Sequence, residues 1–315
     1  MVPVVRDLDL LVLGDVLPDL VLTGGDVVPA FGQEERIVDT GTLTLGGSSA
    51  ITAHAAARLG LRTAFVGVVG DDVLGRFVLD TLRDGGVDVR GCVIDPHTAT
   101  GVTVVLSKGE DRAMLTAAGT TGHLSARAVD RALLARARHI HAGALLLQPQ
   151  LLRDLPSLFA EVRARGASTS FDTNWDPTGR WDGVGPLLAE TDVFFPNEQE
   201  LRRLAGRADE DVVSAAVAVG SAARLVAVKR GDRGALAYSE GEVVEHPGFP
   251  VAAIDPTGAG DAFDAGFIAA LLEGRPTADC LALACACGAL STRGLGGISA
   301  QPTRAEAAAL AAQGR

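Results

Sequence analysis

Short runs that are apolar or β-branched at nearly every position alternate along the chain with longer stretches whose apolar residues recur at helical spacing. The short runs at 8–14, 63–68, 139–142, 168–171, 193–195 and 225–228 are of strand type and predict strands buried on both faces. Helices are predicted between them, over 49–59, 73–84, 126–135, 150–165, 198–204 and 211–219. This βαβα rhythm argues for an α/β fold with a mainly parallel sheet and helices on both sides. Residues 16–46 and 98–117 break the rhythm with alternating, β-branched segments and no helix, which suits a small antiparallel flap. With no fixed-period repeat and no low-complexity linker, a single domain over 1–315 is expected. Thr303 and Glu306 stand at capping-box spacing before an Ala-rich run, predicting a last surface helix.

Composition narrows the function. Hydrophobic residues make up 47% of the 315, enough for a large core and too many for a disordered chain. Lys and Arg number 28 against 39 Asp and Glu, a net charge of −11, and aromatics are only 4%. Such a chain has neither the basic footprint nor the stacking platforms of a nucleic-acid binder. Glu273, Arg275 and Asp279 interrupt the most apolar region, so no membrane span is expected. Arg6, Asp7 and Asp9 break what would be a signal core, and a cytoplasmic location is expected. Cys92, Cys280, Cys285 and Cys287 show no zinc or disulfide spacing and read as buried thiols.

The segment that carries chemistry is Ile254-Asp255-Pro256-Thr257-Gly258-Ala259-Gly260-Asp261-Ala262-Phe263. Pro256 disfavours helix at Asp255, and Gly258 and Gly260 permit tight backbone, so a helix should start near Ala259. Its free N–H groups would form an anion site suited to a phosphoryl group in transfer. Asp261, in the first turn, could accept the proton of an attacking hydroxyl. Taken alone, Gly-x-Gly-Asp fits an ordinary turn whose acid complements the helix dipole equally well.

The whole string resembles the C-terminal signature of the ribokinase-like, or PfkB-type, carbohydrate kinases, with Pro256 as a variation. Gly46-Gly47-Ser48-Ser49-Ala50, Ala57-Arg58-Leu59-Gly60 and Val66-Gly67-Val68-Val69-Gly70-Asp71-Asp72 resemble the N-terminal signature. Asn197-Glu198-Gln199-Glu200 matches the Asn-x-x-Glu motif, and Lys229-Arg230-Gly231 precedes Gly234, so the matches run from 14 to 299. The resemblance implies a three-layer α/β/α sandwich with a β lid and an ATP-dependent phosphotransferase acting on a hydroxyl of a small sugar or sugar acid. It makes Asp261 the general base, with Gly258, Ala259 and Gly260 as the anion hole. Asn197 and Glu200 would organise Mg²⁺ and the triphosphate through water, and Lys229, Gly231 and Gly234 would bind nucleotide. Asp19, with Asp15 as the fallback, and Gly46 and Gly47 would meet the sugar. In several relatives a loop like 292–299 holds a monovalent cation with the signature Asp, which would make Asp255, Arg293 and Ser299 a potassium site. Dimer contacts through the lid are expected to make a homodimer.

Blander readings stand beside these. Asn197 and Glu200 have helix-cap spacing, 231–234 fits a hairpin turn, and the glycines of 292–299 could end a helix. Ile51 stands where many relatives carry Asn, removing one polar contact. No P-loop string occurs, and Gly67-x-x-Gly70 is a poor dinucleotide fingerprint. A nucleoside kinase and a catalytically silent sugar-binding protein are the alternatives. Phe31 and Phe65 are the few early aromatics available to clamp a purine, which favours sugar.

Overall fold

The computed structural model describes residues 6–108, 111–206 and 211–314. Its main sheet has eight strands in the order Glu242–His246, Ala235–Ser239, Leu225–Lys229, Val193–Phe194, Ser168–Phe171, Ala137–Ala142, Leu8–Leu13 and Thr63–Val66. The six strands from Leu225–Lys229 to Thr63–Val66 run parallel, and the first two, Glu242–His246 and Ala235–Ser239, add an antiparallel hairpin at that edge. Side chains alternate across the strand Leu8–Leu13: Leu11 and Leu13 enter one core, Leu10 and Val12 the other. Leu151, Leu201 and Ala215 bring the helices Pro149–Ala164, Glu198–Leu204 and Val212–Gly220 to the first core. Ala53, Phe267 and Leu281 bring Ser48–Arg58, Ala259–Leu272 and Thr277–Ser291 to the second. Both sheet faces are therefore covered, which is why the strands read as continuous apolar runs.

Three expectations need correction. The run 63–68 is two strands, because at Gly67 the chain turns past Gly14; Val68–Gly70 pairs with Val93–Asp95 in a separate two-stranded sheet. The helix expected over 126–135 is a 3₁₀ turn, Ala126–Ala128, followed by Arg131–Arg136. Asp130 divides them, its carboxylate accepting the Ala132 N–H at 2.8 Å as a new N-cap. The lid is not purely antiparallel. Its strands lie in the order Thr40–Gly46, Leu17–Thr23, Val102–Lys108, Asp111–Ala117, and the central pair is parallel. Within the expected lid stretch, 109–110 lie outside the described residues.

One lid face carries Asp19, Thr44, Thr103 and Thr116; the other carries Leu20, Leu43, Val104 and Leu115. Leu43 and Leu115 are exposed. The capping box at Thr303 and Glu306 opens the helix Arg304–Ala311, as its spacing predicts. All four cysteines are free thiols, each pushed up to about 12 chiefly by burial. No helix among the described residues is long and apolar enough to cross a membrane.

Candidate active site

Parallel strands expose their carboxyl ends on one edge, where the chain must turn and polar groups collect. Gly14 and Asp15 follow the first strand, Asp172 follows Ser168–Phe171, Asn197 follows Val193–Phe194, and Lys229 ends Leu225–Lys229. The helix Ala259–Leu272 begins over this edge. Its N-cap, Gly258, has φ +76°, a left-handed conformation, and a β-carbon there would lie 2.7 Å from Gly297 O. Glycine is thus required twice, by backbone angle and by close approach. First-turn N–H groups have no carbonyl one turn earlier, so the turn presents donors at a positive helix end.

Asp261 sits half-buried in that first turn, and its Oδ1 accepts the Ser48 hydroxyl at 2.5 Å. Burial pushes its carboxyl up to about 7; Ser48 and Lys229 oppose the shift, and the Asp172 and Asp15 charges add to it. Asp15 follows the strand Leu8–Leu13. Its two oxygens accept the Ser48 and Ser49 N–H groups at 3.1 and 2.9 Å, so it caps the helix Ser48–Arg58 from the end of the first strand. Asp19 is buried with no hydrogen-bond partner among the described residues. Its carboxylate lies against Gly46, where a β-carbon would come within 2.3 Å of it. Burial and then the Asp15 charge push Asp19 up to about 7, while Arg112 pulls it down. Gly47, at φ +86°, is the N-cap that lets the chain enter the Ser48 helix.

Asn197 and Glu200 form a full capping box: Asn197 Oδ1 accepts the Glu200 N–H, and Glu200 Oε2 accepts the Asn197 N–H, both at 2.9 Å. Burial, and then the Asp172 charge, push Glu200 up to about 7. Gly231 and Gly234, at φ +61° and +79°, bound a 3₁₀ turn between antiparallel strands. Arg230 and Arg233 on that turn both pair with Glu198. Lys229 lies at the strand end where it was expected. Its Nζ is buried 2.6 Å from Asp172 Oδ2 and 3.2 Å from Asp264 Oδ1.

Asp255 ties two loops together. Oδ1 accepts the Thr257 N–H and hydroxyl at 2.9 and 2.6 Å, and Oδ2 accepts the Gly296 N–H at 2.8 Å. Ser299 Oγ donates to Leu295 O and Arg293 Nε to Leu290 O. Each of the three side chains expected at a potassium site is thus bonded within these loops. Ile51 packs its methyls against Gly258 and Gly297, giving the anion-hole turn an apolar support where a polar contact was expected. From the lid, Arg112 Nη1 reaches Thr257 Oγ1 at 2.5 Å and lies 3.5 Å from Asp255 Oδ1, bridging lid and signature loop.

This arrangement is that of a known group of enzymes. A model of the pfkB family of carbohydrate kinases matches residues 7–304. The chain belongs to the pfkB family. It is 33% identical over 307 residues to a fructokinase of Klebsiella pneumoniae, covering 92% of this chain and 95% of that protein. It is 34% identical over 261 residues to an ATP-dependent ribose-1-phosphate kinase of Halopiger xanaduensis, covering 82% and 83%. The solved structure of Arabidopsis thaliana ribokinase complexed with ribose and ATP superposes with a TM-score of 0.83 at 25% identity, covering 96% of this chain and 98% of that one.

In this pfkB-family chain, Ser48, Arg112, Asp172 and Asp264 are site residues that the sequence reading missed. Asp264 had a signal: an acid inside an apolar helical run must find a partner when buried. Asp172 had a weaker one, a charge at the end of a short strand buried in the middle of the sheet. Asp172 also opens a loop that carries Trp175 and Trp181, whose rings meet edge to face at 5.5 Å.

Proposed function

We propose that this carbohydrate kinase transfers the γ-phosphoryl group of ATP to a hydroxyl of a small sugar, with Asp261 as general base. The single observation that carries this reading is Asp261 itself, a carboxylate of raised basicity held by Ser48 beside an N-terminal turn rich in free donors. Ser48 occupies Oδ1, so Oδ2 is left to take the proton of the acceptor hydroxyl as its oxygen attacks phosphorus. ADP leaves, and the growing charge on the phosphoryl oxygens falls on the Gly258–Gly260 turn. Asp19 is the carboxylate available to sugar hydroxyls, because its lone pairs have no protein donor. Arg112 holds the lid to the signature loop, and closure keeps water from replacing the sugar as acceptor.

Magnesium fits at Glu200 and Asn197. Among the described residues no group of three or more His, Cys, Asp or Glu side chains forms a cage, which suits a hydrated ion held mostly by phosphates. Glu200, buried beside Asp172, has a carboxylate whose ionised form a cation would favour. When bound, magnesium neutralises triphosphate charge. Glu200→Gln keeps a capping-box residue, so it should fold normally yet need several-fold more Mg²⁺ for half-maximal rate. An unchanged Mg²⁺ titration would leave Glu200 as a helix cap alone.

The reading is of one domain whose lid spans 16–46 and 98–117. A second copy is proposed on the lid's outer face, since Leu20, Leu43, Val104 and Leu115 form an apolar surface. Sedimentation velocity checks this, and a monomer at micromolar concentration would refute it. An ATP-consumption screen over ribose, fructose, 2-keto-3-deoxygluconate, adenosine and inosine tests the substrate class. Turnover with nucleosides alone would overturn the sugar reading, and turnover with none would favour a silent sugar-binding protein.

A further inference from the structure

Lys229 closes its strand with an ammonium group buried beneath the anion hole. Nζ lies 2.6 Å from Asp172 Oδ2 and 3.2 and 3.3 Å from the two Asp264 oxygens. A β-carbon on Gly260 would sit 3.5 Å from Nζ, so the lysine packs against the middle of the first helical turn. The Lys229 N–H also donates to Pro196 O at 2.8 Å, fastening the turn that carries Asn197 to the same strand end. One residue thus joins the Asp172 loop, the Asn197 turn and the helix that bears Asp261.

Electrostatics gives that junction a direction. Asp264 is fully buried, which holds its carboxyl well above the usual range, and it is hydrogen-bonded to Asp172. Against the same effect of burial, Lys229 pulls the Asp172 carboxyl below its ordinary value, so of the two acids Asp172 is the one that more strongly favours the charged form. Behind Asp172, His141 and His139 are kept neutral by burial and hydrogen-bond to Ser170 and Ser168. Asp261 consequently faces Asp15 and Ser48 from one side, Asp172 and Lys229 from the strand ends, and Asp264 on its own helix. Lys229 supplies the positive charge in this set. A buried ion pair adds little net stability compared with well-packed apolar residues, so its main effect is on the groups around it.

We propose that Lys229, Asp172 and Asp264 form a positioning cluster for phosphoryl transfer, holding the anion-hole turn on the strand ends and keeping a positive charge behind Asp261. This rests on the reading of Asp261 as the base. Lys229 acts here through other groups, since its ammonium is already committed to two carboxylates.

The test is steady-state kinetics of Lys229→Met, Lys229→Arg and the double variant Lys229→Met/Asp172→Asn, which removes the ammonium together with its 2.6 Å partner if the single variant fails to fold. The methionine variants should lose about 10- to 100-fold in kcat, with KM for ATP and sugar changed less than about threefold. The acid limb of kcat in the single Lys229→Met variant should move up by about one pH unit, because the cation that favours ionised Asp261 is gone while Asp172 remains. Arginine should restore part of kcat. A tenfold rise in KM for ATP at unchanged kcat would overturn the proposal in favour of a nucleotide contact. A double variant with the wild-type kcat would overturn it in favour of a packing role. Asp261→Asn run alongside separates the two readings: if that variant keeps its kcat the base assignment fails, while the kcat loss and arginine rescue at 229 still decide whether the cluster positions the anion hole.

Discussion

Asp261→Asn is expected to lower kcat by about 10²- to 10⁴-fold, the usual cost of losing a general base, with the fold and KM for ATP close to wild type. Asparagine keeps an oxygen to accept the Ser48 hydroxyl, so the first turn should hold its shape. What disappears is the lone pair that takes the proton. The pH dependence carries a second signature. A base works when deprotonated, and Asp261 is pushed up to about 7, so wild-type kcat should rise with pH through that value. The variant should lose this limb. Steady-state rates at saturating ATP and sugar between pH 5.5 and 8.5 check both statements, and a near-normal kcat in the variant would remove Asp261 from the chemistry.

Gly258→Ala should be nearly as damaging, through geometry alone. At φ +76° an alanine is strained, and its methyl would have to occupy space 2.7 Å from Gly297 O and 2.8 Å from Gly297 Cα. Ile51, 3.1 Å away, blocks retreat towards the Ser48 helix. The turn must therefore shift and carry its N–H groups off the position where phosphoryl charge develops. Losing one such donor costs about 10²- to 10³-fold in kcat, and the left-handed strain adds roughly 1–2 kcal/mol of destabilisation. Rates combined with calorimetric Tm separate the effects; a lowered Tm at unchanged kcat would make the turn structural only.

The signature turn was legible in the sequence because glycine spacing and a proline act locally, on backbone angles that a ten-residue string specifies. The buried strands were legible for a similar reason, since covering both faces leaves a continuous apolar run. Side-chain direction was not. Lys229 was placed correctly at a strand end, yet its partner Asp172 lies 57 residues earlier, and no local pattern says whether an ammonium points up to solvent or back under a helix. The helix-capping contacts of Asp15 were hidden on the same account: a strand-end carboxylate can serve a ligand or a neighbouring helix, and no local pattern says that the Ser48 and Ser49 N–H groups reach it. The parallel pairing of Leu17–Thr23 with Val102–Lys108 was hidden as well, because alternation predicts strands without naming their neighbours.

The loop that leaves Asp172 gives the protein a built-in optical reporter. The chain has only two tryptophans, Trp175 and Trp181, and they touch each other there. All indole emission therefore arises within a few residues of the strand end that grips Lys229. A shift in that emission on adding nucleotide or sugar would follow this one edge of the cleft in the unlabelled, unmutated enzyme.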